Sequence, residues 1–546
     1  MAQRKLNRRT FLGQLGSVTA ATLAVKAVGA PLLSGTDGEV AEAATMGSLP
    51  LQRRQEAYQI RQQAALYQRT LPLLDQRANG DEDRYANKIA SYTKGLPHNE
   101  LGEVNLDAYR ALQSAVMSGQ FAALESVTLG GQVKLSNPLA AYAFELEGAD
   151  PHQIECRVPP TFESAETAGE MIELYWQALT RDVQFSAYET HPLTNAAAAE
   201  LSKLSDFHGP KTNGVVTPAT LFRGITPGDL LGPYLSQFLW LDVPLGALTT
   251  VQRNRVTVSG DDFMTAYPEW LSIQRGVPPT RTNAFDPTPR YLHSARGLAT
   301  YVHSDFTYQA YLHAGLMLLA MKAPFKGENP YSRSLTQGGF VTFGAPHVLD
   351  LVARVANASL KATWCHKWLI HRRLRPEAFA GRIHNHLSKK AQYPLHEEVL
   401  NASVVSTVFR TYGSYLLPMA YPEGCPTHPA YPAGHAVIAG ACTTVLKAFF
   451  NEAFILPNPV VAIPDGLALV PYKGVDLTVG GELNKLASNI ALARNTAGVH
   501  WRSDGIEGLK LGEAVAIGIL TDLRATCPEP FDGFSFTKFD GSTVML

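Results

Sequence analysis

The sequence predicts a mainly α-helical protein with few, short strands, and two observations support this. Apolar residues recur at helical spacing over long stretches, of which the longest is Ala345–Leu374. Runs typical of strands are short, such as VQRNRVTVSG, which begins at Val251. No repeat, low-complexity tract or clean linker interrupts residues 44–546. We therefore expect one large domain, with a helical N-terminal half to about residue 320 and a second half from about residue 321.

The predicted elements differ in composition along the chain. Residues 48–83 are rich in Gln, Arg, Leu and Ala with helical spacing, and Ala165–Thr180 has the pattern of a further helix. Many prolines between residues 210 and 289 predict a loop-rich region. Long helical patterns return from Leu298 onward, including a stretch that extends to Met321. The chain is therefore expected to be mostly helical, with its most informative part near the C-terminus.

The bulk composition argues against several classes of function. The 47 basic and 48 acidic residues nearly cancel, so no overall charge favours binding to nucleic acid or to an anionic membrane. The hydrophobic fraction of 45% is that of an ordinary globular protein. The five cysteines include no CxxC pair, which argues against a cysteine zinc site and a disulfide framework. At most one or two disulfide bonds are compatible with this number.

Residues 1–43 resemble a twin-arginine export signal. Arg8 and Arg9 precede a modestly apolar stretch, and Ala41–Ala43 supply small residues suited to a cleavage site. Lys26 interrupts the stretch, and no other segment approaches the roughly 20 apolar residues that a membrane-spanning helix needs. We expect a soluble protein, without membrane insertion, that is exported in folded form to the periplasm or the exterior. The alternative is an ordinary N-terminal helix.

Three clusters of residues point to chemistry, and the first lies in KWLIHRRLRPE. Lys367 and Arg375 are eight residues apart, which on one helix is about 12 Å along the axis and roughly 80° around it. Two long side chains so placed can converge on one point beside the helix. In the alternative, they are basic residues that collect at a helix C-terminus because of the helix dipole. Pro376 is expected to end this helix.

The second cluster is YPAGHAVIAGAC, residues 431–442, in which an imidazole precedes an apolar helix. Gly434 leaves its backbone amide open to close approach, and the N-terminus of a helix presents unpaired N–H groups that bind anions. His435 would lie beside an anion held there. A capping or core histidine is the alternative for His435, and Ala433 provides no hydroxyl at this point.

The third cluster is ARNTAGVHWRSDG, which contains Arg494, His500 and Asp504. The spacing lets Asp504 orient the imidazole of His500 and determine which ring nitrogen is free. Asp504 is also placed to cap the helix that follows, and both roles are compatible. Together the clusters supply three cations, one helix N-terminus and two histidines. Such a set suits a tetrahedral or trigonal-bipyramidal oxyanion, with one imidazole on the central atom and the other moving protons.

The combined pattern resembles the vanadium-dependent haloperoxidases, in the superfamily that includes type-2 phosphatidic acid phosphatases and bacterial acid phosphatases. Its parts are Lys-x7-Arg-Pro, Pro-x-Gly-His and Arg-x5-His-x3-Asp. The seven residues between Lys367 and Arg375 resemble the spacing in algal-type bromoperoxidases, whereas six residues usually separate the two positions in the fungal chloroperoxidase and the phosphatases. The resemblance extends through residues 79–104 and 425–436 and covers nearly all of residues 44–546. It implies two four-helix bundles, with the anion site at one end of the second.

The resemblance implies vanadate as the cofactor and assigns the residues that hold it. His500 would bond vanadium through a ring nitrogen. The vanadate oxygens would be neutralised by basic side chains and one backbone amide: Lys367, Arg375, Arg494 and Gly434. Ala433 departs from the family, which usually has serine there. Because a hydrogen bond to a charged group contributes about 1.5–3 kcal/mol, we expect vanadate binding to be retained but weaker.

The resemblance also implies which residues act in the reaction. His435 would move protons as hydrogen peroxide binds, and Lys367 would polarise the peroxide for attack by halide. Asp504 and Asp305 are expected to support the site, with Asp305 paired to Arg494. These assignments make the bound metal a Lewis acid that keeps one oxidation state.

Two further residues bear on the choice of halide. His428 stands where algal bromoperoxidases have histidine and the fungal chloroperoxidase has phenylalanine, and Trp364 matches an aromatic residue of both groups. A second imidazole hydrogen-bonded to His435 would alter its protonation. The resemblance therefore implies oxidation of bromide and iodide in preference to chloride. In the alternative, His428 caps backbone groups within its own loop.

The sequence thus predicts vanadate-dependent oxidation of bromide or iodide by hydrogen peroxide, to a hypohalite-like species that halogenates organic acceptors. An exported acid phosphatase of the same superfamily, with His500 as a phosphohistidine nucleophile, is the first alternative. A non-catalytic oxyanion-binding protein, in which Ala433 marks decay, is the second. The resemblance further implies a homo-oligomer, dimeric or larger. A calcium ion is left open, and its ligands are not placed.

Overall fold

The computed structural model describes residues 49–546, and the mainly helical fold predicted from the sequence is confirmed. Residues Ile60–Leu546 form one compact unit. The predicted export signal lies outside the described residues. No helix from Leu49 onward combines the length and apolar character that a membrane span requires.

Sixteen α-helices occur in residues 49–546, and several are shorter than two turns. They are α1 (Leu49–Thr70), α2 (Asp81–Arg84), α3 (Leu106–Ser118), α4 (Phe121–Glu125), α5 (Ala165–Leu179), α6 (Pro192–Leu201), α7 (Tyr267–Gln274), α8 (Ala295–Ser304), α9 (Gln309–Ala320), α10 (Ala345–Cys365), α11 (Pro376–Leu387), α12 (Glu397–Asn401), α13 (Ser403–Tyr412), α14 (Gly434–Phe449), α15 (Val479–Thr496) and α16 (Arg502–Thr526).

Four helices of the second half, α10, α14, α15 and α16, pack together as a bundle. The helix α14 contacts the other three and is buried from Ala436 to Phe449. It lies very close to α16 at two glycines: a Cβ on Gly440 would meet the carbonyl oxygen of Leu509 at 2.1 Å, and one on Gly512 would meet that of Val437 at 1.9 Å. These glycines permit the backbone contact that brings the N-termini of α14 and α16 together.

A second group of helices packs around α5, whose predicted range of Ala165–Thr180 is confirmed to within one residue. Nearly the whole of α5 is buried, and it contacts α6, α12 and α13. Its apolar core includes Trp176, Phe379 and Trp501 and is separate from the core around α14. Because α5 also contacts α15, the two helical groups are joined within one unit.

Six strands form three separate antiparallel hairpins in the described chain, and each strand has three residues. They are β1 (Val243–Leu245), β2 (Leu248–Thr250), β3 (Val460–Ala462), β4 (Leu469–Pro471), β5 (Ser535–Thr537) and β6 (Thr543–Met545). The strand predicted from Val251 is wrong. The hairpin ends at Thr250, and the segment that follows contributes isolated bridges at Asn254 and Thr257.

The long helix predicted over Ala345–Leu374 is interrupted. The helix α10 ends at Cys365, and a π-helix follows over His366–His371. Arg372 then adopts a left-handed conformation with a φ of 34°, which ends the helical run. Pro376 was expected to end a helix and instead begins α11, because proline suits the first helical position, where its missing N–H costs nothing.

Candidate active site

The residues of the three sequence clusters meet at one end of the four-helix bundle. Each lies at a helix terminus or directly beside one, where some backbone N–H and C=O groups have no hydrogen-bond partner within the helix. They are Lys367 in the π-helix, Arg375 before α11, His435 in the first turn of α14, Arg494 in the last turn of α15 and His500 before α16. Nη1 of Arg375 lies 3.0 Å from Nε2 of His500, and burial, followed by the charges of Arg375, Lys367 and Arg494, lowers the pKa of His500.

Lys367 and Arg375 reach the site from two different helical segments. The prediction that they share one helix is wrong, because the left-handed Arg372 separates the π-helix from α11. Arg375 occupies the N-cap position of α11 in an extended conformation. The π-helix is a rare form that occurs often at functional sites, and here it holds Lys367.

The ammonium of Lys367 is completely buried and has no carboxylate partner in residues 49–546. Its Nζ donates to the carbonyl oxygens of Pro429 at 2.7 Å and Ala430 at 2.6 Å. Burial, and then the positive charge of Arg375, hold the pKa of Lys367 well below its ordinary value. Since an ammonium has three donors, one remains for a further acceptor.

The guanidinium of Arg375 is bonded to neutral acceptors alone among the described residues. Its Nε donates to the carbonyl oxygen of His428 at 3.0 Å, and Nη1 donates to that of Val499 at 2.7 Å. Its Nη1 also lies 3.0 Å from Nε2 of His500, and its Nη2 lies 3.0 Å from Nδ1 of His428. Burial lowers the pKa of Arg375. This second cation therefore also lacks a negative partner.

Arg494 is the third buried cation of the site. Its Nη1 donates to the carbonyl oxygen of Val302 at 2.7 Å and lies 3.4 Å from the hydroxyl of Tyr421. Its Nε is buried without a hydrogen-bond partner among the described residues. The predicted pair between Asp305 and Arg494 is wrong, since Asp305 bonds His435 instead. Arg494 therefore keeps donors for another acceptor.

Asp504 orients His500, as the spacing predicted. Nδ1 of His500 lies 2.7 Å from Oδ2 of Asp504, which also accepts from the backbone N–H of Trp501 at 3.2 Å and so caps α16. Burial, followed by the charge of Arg375, holds the pKa of His500 well below its ordinary value. A neutral imidazole that donates from Nδ1 has its lone pair on Nε2. That nitrogen is therefore the one able to bond an electrophilic centre.

His435 is paired with Asp305, which lies 130 residues earlier in the chain. The distance from Nε2 to Oδ1 is 3.0 Å, and the two side chains are 22% and 4% exposed. Asp305 directly follows α8, where the helical stretch predicted over Leu298–Met321 breaks. The carboxylate fixes the orientation of the imidazole, and the partial exposure leaves His435 accessible at the edge of the site.

The N-terminus of α14 has no side-chain cap, because Ala433 occupies the N-cap position. Ala433 is fully buried, and its N–H donates to the carbonyl oxygen of Asp504 at 3.0 Å. The N–H groups of Gly434, His435 and Ala436 have no acceptor within the described part of the chain. Three unpaired donors and the positive end of the helix dipole make this terminus suitable for an anion.

His428 and Trp364 lie together beside the cations, with ring centroids 4.8 Å apart. The expected hydrogen bond from His428 to His435 is wrong. Nδ1 of His428 instead lies 3.0 Å from Nη2 of Arg375 and 3.1 Å from the carbonyl oxygen of Pro429. Burial, followed by the charge of Lys367, holds the pKa of His428 well below its ordinary value. His428 therefore acts on the site through Arg375.

This donor set fits a bound oxyanion such as vanadate. Three basic side chains are at most 8% exposed and have no carboxylate within ion-pair distance in residues 49–546: Lys367, Arg375 and Arg494. Several other buried arginines are paired with carboxylates, as Arg502 is with Glu173 and Arg373 is with Glu170. Buried charges without a partner are costly, so an anion carrying several negative charges would stabilise all three.

Sequence reasoning missed Arg373, which positions Asp504. Its Nη1 lies 2.8 Å from Oδ1 of Asp504, and its Nη2 lies 3.0 Å from Oε2 of Glu170. Arg373 therefore fixes the carboxylate that orients His500. No local pattern marks Arg373, because its two partners come from α5 and α16. Tyr421, which contacts Arg494, was missed for the same reason.

Two other expectations concern cysteines and calcium. All five cysteines are unpaired. A calcium ion remains unplaced: the ligand-like group of Glu166, Asp206 and His208 includes an imidazole, whereas calcium prefers oxygen ligands. Nε2 of His208 already lies 2.8 Å from Oδ1 of Asp206. This group is therefore explained by ion pairing.

Comparison with known proteins identifies relatives of this chain. Residues 355–526 match the family model described as the VCPO second helical-bundle domain. A vanadium-dependent bromoperoxidase from Corallina pilulifera is 36% identical, with 86% of this chain and 94% of the relative covered. Another vanadium-dependent bromoperoxidase, from Ascophyllum nodosum, is 34% identical, with coverage of 86% and 87%.

A solved structure agrees with the sequence relatives. The homohexameric structure of the second vanadate-dependent bromoperoxidase from Ascophyllum nodosum superimposes with a TM-score of 0.87 and is 30% identical. It covers 95% of this chain and 94% of its own. The predicted haloperoxidase fold is thereby confirmed. On the length and identity of these matches, the chain belongs to the vanadium-dependent bromoperoxidase family.

Proposed function

We propose that this chain oxidises halide with hydrogen peroxide in a vanadate-dependent reaction. The main observation is the set of buried cations without carboxylate partners beside the Nε2 lone pair of His500. The relatives named as vanadium-dependent bromoperoxidases support the same cofactor and the same substrates here. The hypohalite-like product would halogenate organic acceptors.

The donors of the site define how vanadate would be held. Lys367, Arg375 and Arg494 would neutralise its oxygens, the N–H groups at the start of α14 would add hydrogen bonds, and Nε2 of His500 would bond the metal. Bound vanadate supplies a Lewis acid that activates hydrogen peroxide toward halide without a change of oxidation state. The N–H of Arg375 that now contacts Nε2 becomes available to an oxygen of the anion.

Proton transfer is the task of His435. Asp305 accepts from Nε2–H at 3.0 Å, so the lone pair of this imidazole is on Nδ1. That nitrogen would take a proton from hydrogen peroxide, and the imidazolium would return it to the hydroxide that the peroxide displaces, which leaves as water. The nearly buried carboxylate of Asp305 stabilises the transient imidazolium, because charges interact strongly where water is excluded.

An acid phosphatase is the second candidate, because Nε2 of His500 is equally suited to attack phosphorus. The bromoperoxidase relatives, which align with 86% of this chain, do not favour it. The two activities are separable by one experiment on metal-free protein. We expect bromide oxidation that requires both added vanadate and hydrogen peroxide. Hydrolysis of a phosphate ester without vanadate, together with no halide oxidation in its presence, would overturn the proposal.

The choice of halide, the location and the assembly are further parts of the proposal. We propose bromide or iodide as the halide, supported by His428 at the position described above. Export by the twin-arginine route, to the periplasm or the exterior, is supported by Arg8 and Arg9. A homo-oligomer is supported by the relative whose structure is described as homohexameric.

A further inference from the structure

Tyr421 lies between the anion site and the surface, and both faces of its ring are occupied. The guanidinium carbon of Arg494 lies 5.5 Å from the ring centroid, and Nη1 of Arg494 lies 3.4 Å from the hydroxyl oxygen. The ring of His303 stacks on Tyr421 at a centroid distance of 3.8 Å and an interplanar angle of 9°. Tyr421 itself is 2% exposed.

The surroundings of Tyr421 fix its position closely. Its hydroxyl donates to the carbonyl oxygen of Ala299 at 2.7 Å, so the oxygen lone pairs remain for Arg494. His303 is in turn held by Glu423, with Nε2 and Oε1 2.6 Å apart. The tyrosine ring is therefore held by Ala299 and His303 of α8, and Glu423 of its own loop fixes His303. The ring contacts Arg494 in a fixed orientation.

The position of Arg494 requires an explanation, because a carboxylate is close. Asp305 directly follows α8, whose Val302 carbonyl oxygen accepts from Arg494 at 2.7 Å. Burial raises the pKa of Tyr421, and the charge of Arg494 lowers it while that of Asp305 raises it, in keeping with both groups lying in its surroundings. Yet Asp305 pairs with His435, and no ion pair joins it to Arg494 within 4.0 Å. In a site of low polarity, the opposite charges of neighbouring side chains attract each other strongly.

We propose that Tyr421 is a positioning residue that holds Arg494 toward the anion and away from Asp305. An ion pair between Arg494 and Asp305 would weaken the anion site in two ways. It would neutralise one of the three cations that bind the anion, and it would remove the carboxylate that orients His435. The proposal rests on the proposed vanadate site and adds a residue that touches neither vanadate nor halide.

The test measures vanadate binding to metal-free protein by titration calorimetry, so that it does not depend on turnover. The wild type is compared with Tyr421→Leu, which removes the ring, and with the double variant Tyr421→Leu/Asp305→Asn. We expect the leucine variant to bind vanadate roughly ten- to hundredfold more weakly, the equivalent of one lost charge-assisted contact. Removing the competing carboxylate in the double variant should restore most of the affinity.

The restoration by Asp305→Asn is the decisive result where it exceeds the gain that Asp305→Asn gives in the wild type, because the loss of a nearby negative charge alone would raise both affinities equally. If the leucine variant does not fold, Tyr421→Phe keeps the ring and the core volume and loses the 3.4 Å contact with Arg494 together with the hydrogen bond to the carbonyl oxygen of Ala299. It should bind up to about threefold more weakly, and Asp305→Asn should reverse this as well. Equal affinity of wild type and variants, or no restoration by Asp305→Asn, would overturn the inference. Absence of vanadate binding by the wild type would instead overturn the proposed function.

Discussion

Replacing Ala433 with serine is expected to stabilise the metal-free protein and to tighten vanadate binding. Ala433 is the N-cap of α14 and offers no side-chain acceptor, while the first three N–H groups of that helix have no acceptor in residues 49–546. A serine hydroxyl can accept a hydrogen bond from one of these N–H groups and still donate a hydrogen bond to an oxygen of the anion. The two effects are measured separately.

The magnitudes follow from the two hydrogen bonds. A serine in place of alanine at an N-cap adds about 0.5–2 kcal/mol to the free energy of unfolding. A hydrogen bond to a charged group contributes about 1.5–3 kcal/mol, which corresponds to a roughly ten- to hundredfold lower dissociation constant for vanadate. Since Ala433 is completely buried, the serine oxygen must fit a closed space, and crowding would reduce the first of these gains.

The assay combines urea unfolding of the metal-free protein with calorimetric titration of vanadate. Ala433→Cys is the matched control, because a thiol has nearly the same shape but is a weak donor and acceptor. The serine variant should exceed both the wild type and the cysteine variant in stability and in affinity. A serine variant with unchanged or weaker vanadate affinity would refute the reasoning, since another group would then already serve the oxygen nearest Ala433.

Three further predictions concern export, halide choice and acid stability. Replacing both Arg8 and Arg9 with lysine should stop export, which is measured by the location of the protein in fractionated cells. Compared from pH 5 to 8, bromide and iodide should be oxidised readily near neutral pH, and chloride poorly or only in acid. His428→Phe should raise the rate with chloride relative to bromide, because it frees the Arg375 N–H that now contacts Nδ1 to act on the anion. His366 is fully buried, and burial lowers its pKa to about 4. As the pH falls below 6.5, this imidazole is therefore protonated in the unfolded protein before it is protonated in the folded protein. The free energy of unfolding should therefore fall between pH 7 and pH 5, and His366→Asn should reduce that fall by about 2 kcal/mol in urea titrations.

Each of these predictions has a clear contrary result. Unimpaired export of the lysine variant would remove the twin-arginine interpretation. Wild-type oxidation of chloride at the bromide rate at neutral pH would contradict the halide assignment. An unchanged pH dependence in His366→Asn would show that the buried imidazole does not contribute to acid sensitivity.

Part of the geometry of the site is predictable from sequence because its motifs are local. The spacing of His500 and Asp504 already specified their hydrogen bond, and the glycine before His435 already indicated an open helix N-terminus. Both features depend on neighbours within one turn of chain. The same locality made α5 predictable to within one residue.

The parts that sequence reasoning missed depend on contacts between distant segments. The sequence predicts Lys367 and Arg375 on one helix, because nothing in the apolar pattern marks a π-helix or the left-handed Arg372. It does not distinguish Arg494 from His435 as the partner of Asp305, because either pairing neutralises the carboxylate and only packing decides between them. That packing includes Tyr421, which lies in a loop without a recognisable motif.

Vanadate binding to metal-free protein, compared between wild type and His500→Ala, tests the central claim most directly. We expect one vanadate per chain in the wild type and at least about a hundredfold weaker binding in the variant, because the bond from Nε2 to the metal is lost. His208→Ala, an exposed histidine outside the site, should bind like the wild type. Phosphate, which forms no such bond, should lose much less affinity in His500→Ala. Vanadate affinity that does not change in His500→Ala would contradict the account.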